Sequence, residues 1–297
     1  MAKAACNGIE IEYETFGALE DPAILLISRL AGQLLDWDAV FCRRLAEQGY
    51  CVIRYDNRDS GLSSRIVDPE PGTTGAMFKA LMKGEKIAPL FTIEDMADDA
   101  AGLLDALGIE KAHVCGISMG GAIAQTMAIY HPQQVKSLIA IYSSTGNPDL
   151  STPDAKAAEI LFEPAPAERF SNIEYSLRVF RAITGSGIPF DTAAHRERAA
   201  RYFDRAFRPQ GTAHQLIAAL TQRNRKSQLA QLALPTLVIH GDEDPLMPLA
   251  AGRELAKTIP RAELMVVNGM GHDLPMMNAH WEKILNAMLK HLARVET

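Results

Sequence analysis

The sequence predicts an α/β fold: a mostly parallel sheet flanked by helices, with an inserted helical cap. Three observations predict it. Short apolar runs of strand length alternate with stretches of helical periodicity in both the first half and the last quarter of the chain. Glycines punctuate the helical stretches, as at Gly49 and Gly108, where a chain leaving a helix favours a residue free to turn. Between about residues 145 and 234 the alternation breaks and mostly helical spacing remains. Alternating β and α elements build a parallel sheet covered on both faces. A helical block between two of its strands reads as a cap. The expected organisation is a body of residues 1–144 and 235–297 with a cap of residues 145–234.

The elements follow in order. Ile9 to Tyr13 alternates with period two, the pattern of a half-buried strand. Ala23 to Ile27 is a continuous apolar run, expected of a strand buried on both faces. Phe41 to Gln48 reads as helix and Cys51 to Tyr55 as strand. Ile66 to Leu90 is a long connection rich in Pro and Gly, in which Met77, Phe78, Leu81 and Met82 make a short amphipathic turn. Thr92 opens a helix that runs to Leu107. Ala112 to Cys115 is a strand, Met119 to Tyr130 a helix and Val135 to Tyr142 a strand. Within the cap, Ile173, Leu177 and Phe180 form one helical stripe, and Ala199, Phe203, Ala206 and Phe207 a second. The alternation resumes with strand Thr236 to His240, helix Ala250 to Thr258, strand Glu263 to Val267 and a last helix from about Ala279.

Composition excludes several function classes. Apolar residues make up 47% and charged residues 22% of 297, so the chain is globular and large enough to fold without disulfides or a structural metal. A net charge of −6 argues against broad nucleic-acid or anionic-membrane binding. No apolar run is long enough to span a membrane, and the N-terminus lacks the apolar stretch of a secretory signal. Cys6, Cys42, Cys51 and Cys115 show neither paired nor metal-ligand spacing, which reads as reduced thiols of a cytoplasmic protein. The charge is uneven: residues 145–234 carry twelve Lys and Arg against nine Asp and Glu, over a more acidic body. That stretch also holds eight of the nineteen aromatics: Phe162, Phe170, Tyr175, Phe180, Phe190, Tyr202, Phe203 and Phe207. Some of these build the cap's own core and others are candidates to line an apolar pocket. The expected partner is a small molecule; the oligomeric state is left open, a homodimer being the oligomer considered.

Gly116-Ile117-Ser118-Met119-Gly120 carries the chemistry. It matches G-x-S-x-G between a strand and a helix, a turn that lifts a serine hydroxyl above the sheet at a helix N-terminus. The plain alternative is a tight turn with a helix-capping serine. A serine hydroxyl is a weak nucleophile and needs a base. Of eight histidines, His272 in Asn268-Gly-Met-Gly-His272 stands on a Gly-flanked loop just past the last strand. His113 and His240 lie in strands and read as buried packing residues; His195, His214, His280 and His291 lie on helices and read as solvated or structural. The base in turn needs a carboxylate to fix its tautomer. Asp242, Glu243 and Asp244 cluster after a strand; Asp244 is preferred, Asp242 is the runner-up and Glu243 comes third. The chain order Ser118, Asp244, His272 differs from two other well-known orders of such triads.

These residues resemble the α/β-hydrolase superfamily, in its capped, aclacinomycin methylesterase-like carboxylesterase branch. Further matches are Tyr55-Asp56-Asn57-Arg58-Asp59-Ser60-Gly61-Leu62-Ser63 after a strand, Gly241-x-x-Asp244-x-x-x-Pro248 and Gly269-Met270-Gly271-His272. The resemblance places the acid at Asp244 and implies an oxyanion hole formed by the backbone N–H groups of Leu30 and Met119. It implies a structural network, not a catalytic one, for the Asp56 to Ser63 loop. Where the family has a His-Gly or Gly-rich motif, this chain has Ser28-Arg29-Leu30-Ala31-Gly32-Gln33. Arg29 thus stands in a glycine's place, and crowding, pairing with an acid or binding an anionic part of the substrate are the options; an outward-facing or structural ion pair weighs at least equally. The implied activity is hydrolysis of a carboxylic ester through an acyl-serine, with no metal or organic cofactor. Alternatives on the same residues are C–C bond hydrolysis, a lactonase, an amidase or a perhydrolase, and, outside enzymes, a ligand-binding protein on this scaffold. Epoxide hydrolases and haloalkane dehalogenases generally carry Asp where Ser118 stands.

Overall fold

Five consecutive apolar residues, Ala23 to Ile27, are buried on both faces of the sheet, as their unbroken run requires. The computed structural model describes residues 1–150, 152–161, 163–274 and 279–296. Its strands are β1 (Ala2–Cys6), β2 (Ile9–Phe16), β3 (Ala23–Ile27), β4 (Cys51–Tyr55), β5 (Ala112–Ile117), β6 (Val135–Ile141), β7 (Thr236–Gly241) and β8 (Ala262–Val267). They form one sheet in the order β1-β2-β4-β3-β5-β6-β7-β8. Pairings from β4 through β8 are parallel; β1 with β2 and β2 with β4 are antiparallel. The sequence pattern assigns no element to Ala2–Cys6. Alanine is a poor strand former, and β1 exists because its backbone pairs with β2.

The helices are α1 (Ala39–Ala46), α2 (Thr73–Met82), α3 (Ile93–Ala106), α4 (Met119–Tyr130), α5 (Ala155–Leu161), α6 (Arg169–Ile183), α7 (Thr192–Arg205), α8 (Pro209–Leu220), α9 (Lys226–Leu229), α10 (Leu249–Thr258) and α11 (Ala279–Glu296). Thr92 caps α3 in a reciprocal box with Asp95, which fixes where that helix starts. Side chains of α3, α4 and α10 share one apolar cluster with one face of the sheet; those of α1 and α11 share a second with the other face. Helices α5 to α9 all lie in the chain between β6 and β7. Of the two stripes expected there, Ile173, Leu177 and Phe180 are buried on α6 as the spacing predicts. The second breaks: α7 ends at Arg205, and Ala206 is extended at φ −166°, so Ala206 and Phe207 follow the helix instead of lying on it. Phe203 and Phe207 still stack, with centroids 5.0 Å apart. Phe170 is exposed, and Phe162 lies outside the described residues. All four cysteines are buried and unpaired. Among the described residues no helix is long and apolar enough to cross a membrane.

The connection after β4 is better ordered than its composition suggests. The short turn expected near Met77 is the ten-residue helix α2, packed against α8. His214 of α8 fastens it: Nδ1 lies 2.5 Å from Asp59 Oδ2, and Nε2 lies 2.9 Å from Asp68 Oδ1 and 2.7 Å from Thr74 Oγ1. Two carboxylates facing both ring nitrogens suit an imidazolium, which donates from both. Burial pushes the imidazole's pKa down, but the bonds to Asp59 and Asp68 outweigh it and the net shift is upward. A raised pKa means stability that is complete below the ordinary value of about 6.5 and is lost as pH rises through the folded-state value. His214→Gln should therefore lower the thermal midpoint most near about pH 6, with a deficit that narrows toward about pH 9. A deficit that is flat or widens with pH in parallel melts would contradict the clamp.

Candidate functional site

The loop between β5 and α4 is the centre of the site. Ser118 sits there at φ 53° and ψ −119°, a backbone conformation that is costly for a residue with a Cβ. The surroundings enforce it. A Cβ on Gly116 would run into the carbonyl of Gly120, and one on Gly120 into the carbonyl of Ile27 at the end of β3. Only glycine at both places lets α4 fold back so tightly on the strand. The Ser118 N–H is anchored 2.9 Å from the Ile141 carbonyl on β6.

The structure brings together residues 118, 244 and 272. His272 Nε2 lies 2.8 Å from Ser118 Oγ, and His272 Nδ1 lies 2.7 Å from Asp244 Oδ2. Asp244 is held by its other oxygen, which accepts from the N–H groups of Leu246 at 2.9 Å and Met247 at 2.8 Å. His240, four residues earlier on β7, has Nε2 2.8 Å from the Met247 carbonyl and 3.7 Å from Asp244 Oδ2. Burial pushes the His240 pKa below its ordinary value, so its ring stays neutral at pH 7 and leaves the Asp244 charge to His272. The Tyr142 ring lies against the His272 ring with centroids 4.6 Å apart. The other two acids of the cluster go elsewhere. Asp242 accepts from the Gly269 N–H at 2.6 Å and thereby shapes the His272 loop. Glu243 accepts from the Ser186 N–H and hydroxyl, tying the loop after α6 to the body.

A serine hydroxyl so placed would, on attacking a carbonyl, need donors for the charge that forms there. The Met119 N–H, first in α4, and the Leu30 N–H, in the loop after β3, have no hydrogen-bond partner among the described residues. Arg29 beside Leu30 is not turned out to bulk solvent. Its Nε is 3.2 Å from Asp36 Oδ1, an ion pair not aligned as a hydrogen bond; its Nη1 donates to the Leu30 carbonyl at 3.3 Å, and the guanidinium lies over Phe180. Pairing with an acid is thus the option the geometry holds, and binding a substrate anion would require Arg29 to share or leave Asp36. The Asp56 to Ser63 segment supports the same loop: Asp56 accepts from the Leu34 and Leu62 N–H groups and pairs with Arg205, and Asn57 Nδ2 donates to the Ser28 carbonyl. Arg58 is fastened to Asp99.

The inserted helices reach the site directly. The Ile183 carbonyl, at the end of α6, accepts from the His272 N–H at 2.7 Å. Sequence reasoning overlooks a second group, Asp273, Arg198 and His195. Asp273 directly follows the candidate base, and its carboxylate lies 2.9 Å from Arg198 Nη1 and 3.2 Å from His195 Nε2. His195 and Arg198 are three apart on α7, so the spacing places them on one helix face; nothing local names the partner. His214, His280 and His291, read as solvated or structural, are all buried.

A strained serine on a strand-to-helix turn, an imidazole within reach and a buried carboxylate behind it, all on the C-terminal side of a mostly parallel sheet, define the nucleophile-elbow class of α/β protein. The chain belongs to the α/β-hydrolase family: the model of the alpha/beta hydrolase fold matches residues 22–279. It is similar to rhodomycin D methylesterase of a Streptomyces species, 29% identical over 89% of each chain. It is also similar to 3-oxoadipate enol-lactonase 2 of Acinetobacter baylyi, 27% identical over 87% of this chain and 85% of that one. Among solved structures, a thermophilic esterase from Thermogutta terrifontis superposes over 100% of this chain and 99% of its own with a TM-score of 0.75 at 24% identity.

Proposed function

We propose that the protein is a serine hydrolase that cleaves the carboxylic ester of a small to medium, largely apolar substrate through an acyl-serine. The observation that carries this is the unbroken chain from Ser118 Oγ through His272 to Asp244, with hydrogen bonds of 2.8 and 2.7 Å. His272 takes the Ser118 proton as Oγ attacks the acyl carbon, and Asp244 stabilises the imidazolium that forms. The carbonyl oxygen becomes an oxyanion, held by the Leu30 and Met119 N–H groups. His272 then gives the proton to the leaving alcohol. A water, deprotonated by His272, adds to the acyl carbon, and the acid leaves as Ser118 recovers its proton. The methylesterase relative supports an ester substrate; the lactonase relative extends the same chemistry to a cyclic ester.

Residues 145–234 are read as a cap. The Ile183 carbonyl on the His272 N–H and the Glu243 contacts to Ser186 support this, since the inserted segment there touches the loops that carry the site. The protein is read as cytoplasmic and as independent of a metal or organic cofactor. The discriminating experiment is a panel of p-nitrophenyl acetate, p-nitrophenyl butyrate, a five-membered lactone and the corresponding simple amide. Turnover of the open-chain esters, lost in Ser118→Ala, is expected. No turnover of any ester, or equal turnover by the variant, would overturn the reading.

A further inference from the structure

Two loops carry the groups that must act together: one after β3, with Leu30, and one after β8, with His272. A buried polar chain connects them, and its middle is supplied by α7. Asp273, next to His272, accepts from Arg198 Nη1 at 2.9 Å. Arg198 Nη2 lies 3.4 Å from Asp36 Oδ1. The same oxygen of Asp36 accepts from the Tyr202 hydroxyl at 2.5 Å and pairs with Arg29 Nε at 3.2 Å. Arg29 then donates to the Leu30 carbonyl. The Arg198 and Asp36 side chains are respectively 8% and 0% exposed, and the Asp273 side chain is 7% exposed, so these charges see little water. The Phe180 ring centroid lies 4.5 Å from the Arg198 guanidinium carbon and 5.8 Å from that of Arg29, so one ring packs against both cations. One fork thus reaches two carboxylates on separate loops through two nitrogens held in one plane, a geometry that lysine's single nitrogen lacks.

From this geometry we infer that Arg198 is a positioning residue: it holds the Leu30 loop and the His272 loop in register and offsets the Asp36 and Asp273 charges beside the imidazole. The inference rests on the triad reading above. It also gives the inserted helices a part in the chemical step, beyond covering the substrate. The groups facing His272 are Ser118 and Asp244, with His240 behind; Tyr142 from the end of β6; Asp273 on its own loop; and, through Asp273, Arg198 and His195 of α7. Across Arg198, Asp36 and Arg29 form the further pair. The fully charged set Asp36, Asp273, Arg29 and Arg198 is neutral. Removing Arg198 leaves that set with a net negative charge, which favours positive charge on a neighbouring group. The cluster borders a cleft of about 90 Å³, lined in part by His195, Arg198 and Asp273.

The test follows the rate of Ser118 phosphonylation by a fluorophosphonate probe, together with kcat and KM on p-nitrophenyl butyrate, from acid to alkaline pH. Arg198→Met should lower kcat on the order of 100-fold with a smaller change in KM, since misplacement harms the transition state more than ground-state binding. Its acid limb should move to higher pH. Arg198→Lys keeps the charge but loses the fork, so its acid limb should stay in place while kcat still falls. If Arg198→Met does not fold, the charge-balanced pair Arg198→Met with Asp273→Asn takes its place, and its acid limb should return toward that of the wild type. Arg198 variants that lose thermal stability alone, with kcat and the acid limb of the folded enzyme unchanged, would overturn the inference and leave the triad reading standing. A wild type whose Ser118 is not labelled would overturn both.

Discussion

Ser118→Ala is expected to lower kcat for ester hydrolysis about 100,000-fold, with no loss of the folded state. The backbone makes the second half of this expectation specific. Ser118 occupies φ 53° whatever its side chain, because Gly116 and Gly120 let the neighbouring backbone close around it. Alanine keeps the same Cβ and the same strain. What is lost is Oγ, with its hydrogen bond to His272 Nε2. Any residual rate would come from the Leu30 and Met119 donors polarising the carbonyl while His272 deprotonates a water that attacks it directly. Steady-state kinetics on p-nitrophenyl butyrate beside a thermal melt reads both quantities. A variant within tenfold of wild type would mean that Ser118 is a turn residue and not the nucleophile.

Asp244→Asn should cost about 10,000-fold in kcat, and the hydrogen bonds say why. Asp244 Oδ1 accepts from two backbone N–H groups, Leu246 and Met247, so an asparagine must put its carbonyl oxygen there. Its amide nitrogen then faces His272 Nδ1 and donates to it. An Nδ1 that accepts is unprotonated, the proton moves to Nε2, and Nε2 no longer takes the proton of Ser118. The variant is nearly isosteric, so its fold should persist. Asp242→Asn is the internal control. That carboxylate accepts from the Gly269 N–H, a bond an amide oxygen replaces, and the change should cost less than about tenfold. Equal losses in the two variants would point to a general charge effect of the acidic cluster instead of a specific partner.

Much of the site is legible in the amino-acid sequence because its signals are local. A strand, a Gly-x-Ser-x-Gly turn and a helix occupy adjacent positions, and each is enforced by its neighbours in the chain. His272 is legible for the same reason, on a Gly-flanked loop after the last strand. The choice among three acids is narrower: all three follow one strand within three positions, and their backbone directions decide which one meets the imidazole. Asp242 and Glu243 serve the loops on either side. Arg29 is visible as an anomaly, but its partner Asp36 is not, since a glycine's place filled by arginine says nothing about where the charge is balanced. β1 escapes detection because its pairing with β2, not its own composition, makes it a strand.

The sequence by itself determined the order of the strands from Ile9 onward, the mostly parallel sheet and a helical stretch between the strands ending near Tyr142 and starting at Thr236, and it named Ser118 and His272 as candidates. Periodicity and turn chemistry act over a few residues and survive in the linear code. Only the tertiary structure decided which charges meet. His214 reaches Asp59 and Asp68 across about 150 positions, and Arg198 bridges Asp36 and Asp273, 162 and 75 positions away. Such pairs form where separate elements pack, and the packing angle and depth that place a guanidinium between two carboxylates are properties of the folded core.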